Sequence, residues 1–74
     1  MDKNLKNLKE LFSRNVRARR AYLGISQEQL GEKSGLERTY ISQIERSNAN
    51  PTFETLCSLA KALDTSVVEL LTEK

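Results

Sequence analysis

Apolar residues along this chain recur at the three- and four-residue spacing of a helix face, and no stretch shows the strict alternation of a strand. Leu8, Phe12 and Val16 predict a first helix over residues 5–22. It should bury these three with Leu23 and stop at Gly24, where a left-handed residue ends a helix at little cost. Ser26 and Gln29 form a reciprocal capping box that starts a second helix, 27–33, with Leu30 as its main apolar residue. Ile41 and Ile44, at helical spacing, mark a third helix over 38–46. Pro51 closes the following loop, and Thr52 caps a fourth helix, 53–63, bearing Phe53, Leu56, Leu59, Ala60 and Leu63. Ser66 and Glu69 make a second capping box, opening a last helix over 67–72 with Val67, Val68, Leu70 and Leu71. The expected fold class is all-α: one compact five-helix domain over residues 1–74.

The connection between the second and third helices is the most informative part of the pattern. Gly31 has no side chain and lets another helix approach closely. Gly35 stops the second helix, and the chain can restart within about three residues, the connection length of a helix-turn-helix. With Ile41 and Ile44 turned inward, the outward face of the third helix shows Arg38, Thr39, Ser42 and Gln43. These side chains can read bases. Arg38 can donate a bidentate pair to guanine O6 and N7, Gln43 can both donate to and accept from adenine, and the Thr39 methyl can touch a thymine methyl. The bland alternative is the solvated polar face that any surface helix has.

Leu30, Gly31, Gly35, Leu36, Ile41 and Ile44 together resemble the helix-turn-helix of the Cro and lambda-repressor family of bacterial and phage transcription regulators. Val16, Arg17, Arg20, Leu23, Gly24 and Ile25 are similar to the end of that family's first helix and its link to the second, and Asn50-Pro51-Thr52 to the start of its fourth. The resemblance therefore covers roughly residues 12–71, and it implies a lambda-repressor-like DNA-binding domain. Two positions depart from the pattern. Ser34 sits where the family often has an apolar residue, and Ser47 where it often has glycine; Ser47 is expected to stiffen the loop that follows.

The resemblance also assigns roles to residues outside the base-reading face. Gln27 matches a phosphate-contacting position, and its place at a helix N-terminus suits an anion on physical grounds. Arg46, Ser47, Asn48 and Asn50 form the loop after the third helix, where the family contacts the DNA backbone. Tyr40 either reaches a phosphate with its hydroxyl or packs against the second helix. Arg17 and Arg19 are weaker phosphate candidates. Arg20 and Glu45 match a paired position of the family, a structural ion pair between the first and third helices.

Charge and composition narrow the function further. The net charge of +2 is uneven: residues 1–20 hold seven Lys or Arg against Asp2 and Glu10, and the rest hold five against eight acids. The basic end is a candidate phosphate-facing surface, with solvation of a fraying terminus as the alternative for Lys3, Lys6 and Lys9. Without histidine and with only Cys57, the chain offers no zinc-ligand cluster, no intramolecular disulfide and no nucleophile paired with a base. No metal, no cofactor and no enzymatic activity are expected. Cys57, between Leu56 and Leu59, reads as a small buried hydrophobe. There is no signal peptide and no apolar run of membrane length, so a cytoplasmic, bacterial or phage-encoded protein, on the nucleoid when bound, is expected. Four aromatic residues give no stacking platform for RNA.

One recognition helix reaches only a few base pairs, whereas useful genomic specificity needs about 4–10 kcal/mol over non-specific DNA. A homodimer on a pseudo-palindromic double-stranded operator is therefore expected, with Val67, Val68, Leu70 and Leu71 as interface candidates; Val67 and Leu70 finishing the core is the alternative. A chain of 74 residues has no room for a ligand-sensing domain, and no small-molecule ligand is expected. Regulation then falls to concentration, dimerisation, occupancy of adjacent operators by two dimers and, for an activator, RNA polymerase. The length and the run Arg38-Thr39-Tyr40-Ile41-Ser42 are similar to restriction-modification controller proteins, which act on their own operon. A phage Cro-like repressor and the antitoxin of a toxin–antitoxin pair share the same frame.

Overall fold

A computed structural model describes residues 3–73 as five helices: α1 (Lys3–Leu23), α2 (Gln27–Ser34), α3 (Arg38–Glu45), α4 (Phe53–Ala62) and α5 (Val67–Leu70). No strand occurs among the described residues. The caps sit where the sequence puts them. Ser26 accepts from the Gln29 amide while Gln29 accepts from the Ser26 amide, Thr52 accepts from the Thr55 amide, and Ser66 accepts from the Glu69 amide. Helix ends differ from the expected ones by a residue or two, within ordinary fraying, and α1 begins earlier than the apolar pattern suggests.

Four helices end in the same way. Gly24, Gly35, Ser47 and Asp64 each take a left-handed conformation, with φ of 69°, 76°, 60° and 56°. In each case the next residue's amide reaches back five residues: Ile25 to Arg20 O, Leu36 to Gly31 O, Asn48 to Gln43 O, and Thr65 to Ala60 O. These are Schellman endings, which satisfy carbonyls that would otherwise lack partners. Only two of the four positions are glycine.

The core is Val16, Leu30, Ile41, Leu59 and Leu63, fully buried, with Phe12, Ile44, Leu56, Ala60 and Leu70 around them. α2 packs against α3 and α4, while α1 packs against α3 and α5. Several expected core residues lie elsewhere. Leu8 is 45% exposed, because the first turns of α1 run past the ends of the other helices, and Leu23, the last residue of α1, is only half-buried. Cys57 is exposed rather than buried. Leu56, Leu59, Ala60 and Leu63 define the inward stripe of α4, and the 100° step from Leu56 to Cys57 swings the thiol off it. Phe53, in the first turn of α4, is 86% exposed.

The turn between α2 and α3 depends on a missing side chain. A Cβ on Gly31 would stand 2.7 Å from the Leu36 carbonyl oxygen and 3.6 Å from Ile41 Cδ1. Its own carbonyl accepts from the Gly35 and Leu36 amides at 2.8 and 3.1 Å, so the chain folds back directly over it. Ser34, one of the two departures from the family pattern, is half-buried, and its hydroxyl lies 3.4 Å from the same carbonyl and accepts from the Leu36 amide at 3.3 Å. Gly31→Ala should lower unfolding free energy by about 1–3 kcal/mol, as overpacking does, measured by chemical denaturation. A loss below about 0.5 kcal/mol would show that the turn simply opens.

Candidate nucleic-acid interface

The orientation of α3 follows from what its inward side chains reach. Ile41 and Ile44 are buried in the core, and Glu45, 4% exposed, is buried with them. A buried carboxylate requires partners. Arg20 supplies two, with Nε 2.7 Å from Glu45 Oε2 and Nη2 3.0 Å from Oε1. Gln27 supplies a third, its Nε2 3.0 Å from Oε1. Arg20 also donates through Nη1 to the Ile25 carbonyl at 3.0 Å, so one guanidinium ties the α1–α2 link to the end of α3. The hydrogen bond from Arg20 and the charge of Glu45 hold the guanidinium in its cationic form above its usual pKa, against the opposing effect of its partial burial.

The outward face then carries the residues singled out for base reading. Arg38, Thr39 and Gln43 are exposed, and Ser42 is half-buried at the edge of the same face. None of their side chains is bonded within the chain among the described residues. Tyr40 is half-buried and packs against the core. Glu37, the residue before α3, makes no side-chain cap, which leaves the first amides of the helix uncapped by side chains. In the loop after α3, Arg46, Asn48 and Asn50 are exposed. Ser47 is half-buried, and its hydroxyl lies 2.7 Å from Ser13 Oγ.

Other candidates are engaged within the chain. Gln27 gives one amide N–H to Glu45, which ties its side chain to the end of α3. Arg17 donates to the Glu45 carbonyl, and Arg19 donates to the Leu63 and Asp64 carbonyls at 2.8 and 2.9 Å while stacking on Tyr22. Both arginines thus hold helix ends. Leu70 is 2% exposed, and its carbonyl accepts from Asn15, so it closes the core, whereas Val68 is 74% exposed and Val67 and Leu71 are half-buried.

Two residues that order this region escaped the sequence reading. Ser13 is buried in α1, with Oγ 2.6 Å from the Ile44 carbonyl and 2.8 Å from that of Lys9. Its single proton serves one of these acceptors at a time, and either hydroxyl can donate in its contact with Ser47. Asn15 donates to the Leu70 and Thr72 carbonyls at 2.8 and 3.0 Å, securing the end of α5. The available signal was that both lie beside the Phe12 and Val16 stripe, where a small polar residue can reach another helix's backbone. Among the described residues no group of side chains is arranged to hold a metal ion, and no helix is long and apolar enough to cross a membrane.

Removing the Arg20 side chain leaves a buried carboxylate with one remaining side-chain donor. Arg20→Ala should therefore destabilise the fold by about 1–3 kcal/mol, seen as a lower melting temperature. Unchanged stability together with lost DNA binding would instead make Arg20 a DNA contact.

Comparison with known proteins places this geometry. A family model described as helix-turn-helix matches residues 16–70. Control protein C.SmaI of Serratia marcescens is 53% identical over 68 residues, covering 92% of this chain and 81% of the relative. The crystal structure of the restriction-modification controller protein C.AhdI from Aeromonas hydrophila superimposes with a TM-score of 0.81 at 37% identity, covering 84% of this chain and 94% of that one. Wild-type C.Esp1396I, also a restriction-modification controller protein, gives a TM-score of 0.79 at 40% identity over 85% of this chain and 82% of that one.

Proposed function

The chain belongs to the helix-turn-helix family of DNA-binding transcription regulators, and on that premise we propose that it is the controller of a restriction-modification operon, acting as a homodimer on a pseudo-palindromic operator in its own upstream region. The observation that carries the DNA-reading role is the face of α3. Arg38, Thr39, Ser42 and Gln43 are turned outward, unbonded within the chain, on a helix whose opposite side is fixed by Ile41, Ile44 and Glu45. Arg38 reads guanine, Gln43 adenine, and Thr39 and Ser42 complete the surface. Arg46, Ser47, Asn48, Asn50 and the backbone at Gln27 position the protein on phosphates and carry no sequence information themselves. The controller assignment is supported by the similarity to C.SmaI, C.AhdI and C.Esp1396I. The role is binding rather than catalysis, exercised in the cytoplasm where operator and RNA polymerase are found. Two dimers occupying adjacent operators cooperatively give such a regulator a switch-like response to its own concentration.

Dimerisation is proposed through a set of residues that keeps Val68 and Leu71 of those the sequence suggested and adds others from α1 and α4. Leu5, Leu8, Phe53 and Leu71 line an apolar groove between the start of α1, α4 and the end of α5, with Val68 exposed on α5. Ala49, Asn50 and Pro51 line the same groove, so a second copy seated there brings the two loops after α3 together. That arrangement suits recognition helices about 34 Å apart in successive major grooves. Leu70 belongs to the core and drops out of the interface.

Selection from a random double-stranded DNA pool at near-physiological salt tests the operator reading. A palindromic consensus bound by two chains is expected, with Arg38→Ala losing about 1–3 kcal/mol per half-site and relaxing preference at its guanine. Absence of any enriched sequence sinks the regulator reading and favours an antitoxin role through a protein partner; enrichment without a shift of the upstream region removes the controller assignment alone. The interface is tested by Phe53→Asp, which should sediment as a monomer with unchanged helicity. A dimer that survives both Phe53→Asp and Val68→Asp would move the interface to another face.

A further inference from the structure

Five of the seven cations among the first twenty residues fall into two groups by what they touch. Arg17, Arg19 and Arg20 are bonded to the C-terminal ends of α3 and α4. Lys6 and Lys9 have no side-chain partner among the described residues, neither hydrogen bond nor ion pair. Yet they lie on the same face of α1. At 100° per residue, positions 6, 9, 13, 17 and 20 fall within a stripe about 80° wide.

The direction of that stripe is fixed by bonds. Ser13 contacts the Ile44 carbonyl and the Ser47 hydroxyl, Arg17 the Glu45 carbonyl, and Arg20 the Glu45 carboxylate. All of these lie at the end of α3 or just after it. Continued two turns toward the N-terminus, the same face carries Lys9 and Lys6 past the end of α3, where they line a shallow depression together with Ser47 and Glu10. Ser47 sits in the loop whose exposed Arg46, Asn48 and Asn50 flank the recognition helix. The depression is therefore continuous with the candidate DNA face and holds two cations against one acid.

We propose that Lys6 and Lys9 bind backbone phosphates of the operator, extending the contact made by the loop after α3 along the first turns of α1. This inference rests on the DNA-regulator reading. A pair of ammonium groups one helical turn apart, on flexible stems and without partners to leave, acts as two point charges on a polyphosphate and carries no base information. Leu5 and Leu8 on the same turns line the proposed dimer groove, and Lys9 borders both that groove and the depression, so both lysines are held near the partner chain. The operator contact then reaches inward from each recognition helix.

Salt dependence separates this role from any effect on folding or base reading. For the operator selected by the wild-type protein, the logarithm of the association constant falls linearly with the logarithm of salt concentration, with about 0.9 of slope per phosphate contact on duplex DNA. Lys6→Gln and Lys9→Gln should each lower the steepness by about 0.9 per bound chain, and the double variant by about twice that. Lys→Arg at either position should restore it. The selected consensus and the melting temperature should not change, nor should the oligomeric state of Lys6→Gln, whose side chain does not line the dimer groove as that of Lys9 does. A double variant that keeps the wild-type slope overturns the proposal while leaving the regulator reading intact. Failure of the wild-type protein itself to enrich any sequence overturns both.

Discussion

The C-terminal carbonyls of the short helices are the constraint on which this fold turns. Each α-helix leaves its last carbonyls without intrahelical partners, and a small chain has few other backbone groups to offer them. Left-handed endings at Gly24, Gly35, Ser47 and Asp64 satisfy part of the need. Polar side chains of α1 satisfy much of the rest: Ser13 and Arg17 at the end of α3, Arg19 at the end of α4, and Asn15 at the end of α5. One long helix thus holds three others by their tails. The arginines are also on the favourable side electrostatically, since a helix C-terminus carries partial negative charge.

The consequence for function is that α3 is held on several sides before any DNA arrives. Ile41 and Ile44 fix its rotation, α1 fixes its C-terminal end, and Gly31 fixes the distance and angle at which it leaves α2. A reading helix that does not have to be ordered on binding loses less entropy when it docks, so more of the contact energy appears as affinity. The loop after α3 shares this order. Ser47, a non-glycine residue with φ of 60°, is in a sparsely populated conformation that persists because Ser13 holds its hydroxyl.

The caps, the helix order and the turn were legible because each is written locally. Ser26 with Gln29, Gly35, and Thr52 make bonds to residues within a few positions, and Ile41 with Ile44 repeat at one helix's period. The pair Arg20 and Glu45 was legible only through resemblance, since twenty-five residues separate its members. What escaped was decided by the end of a neighbour. Leu8 has the right spacing for burial but projects past the helices that would cover it, and Cys57 stands one residue off a stripe set by its neighbours. Arg17 and Arg19 looked like surface cations because nothing in the sequence says that a carbonyl from residue 45 or 63 lies within their reach.

Glu45 shows why the arginines are where they are. A carboxylate in the last turn of a helix opposes the helix dipole, and burial adds a desolvation penalty to that mismatch. Such a residue persists only where cations and donors converge on it, and here Arg20 and Gln27 meet at one carboxylate while Arg17 takes the carbonyl of the same residue. A hydrophobic residue there would bury well, but it would not specify how α1, α2 and α3 are rotated against one another. The two-pronged geometry does, because a guanidinium and a carboxylate match in only one plane. The unfavourable placement of an acid at the end of the recognition helix is thus what aligns that helix with the start of α2, the other element expected to touch DNA.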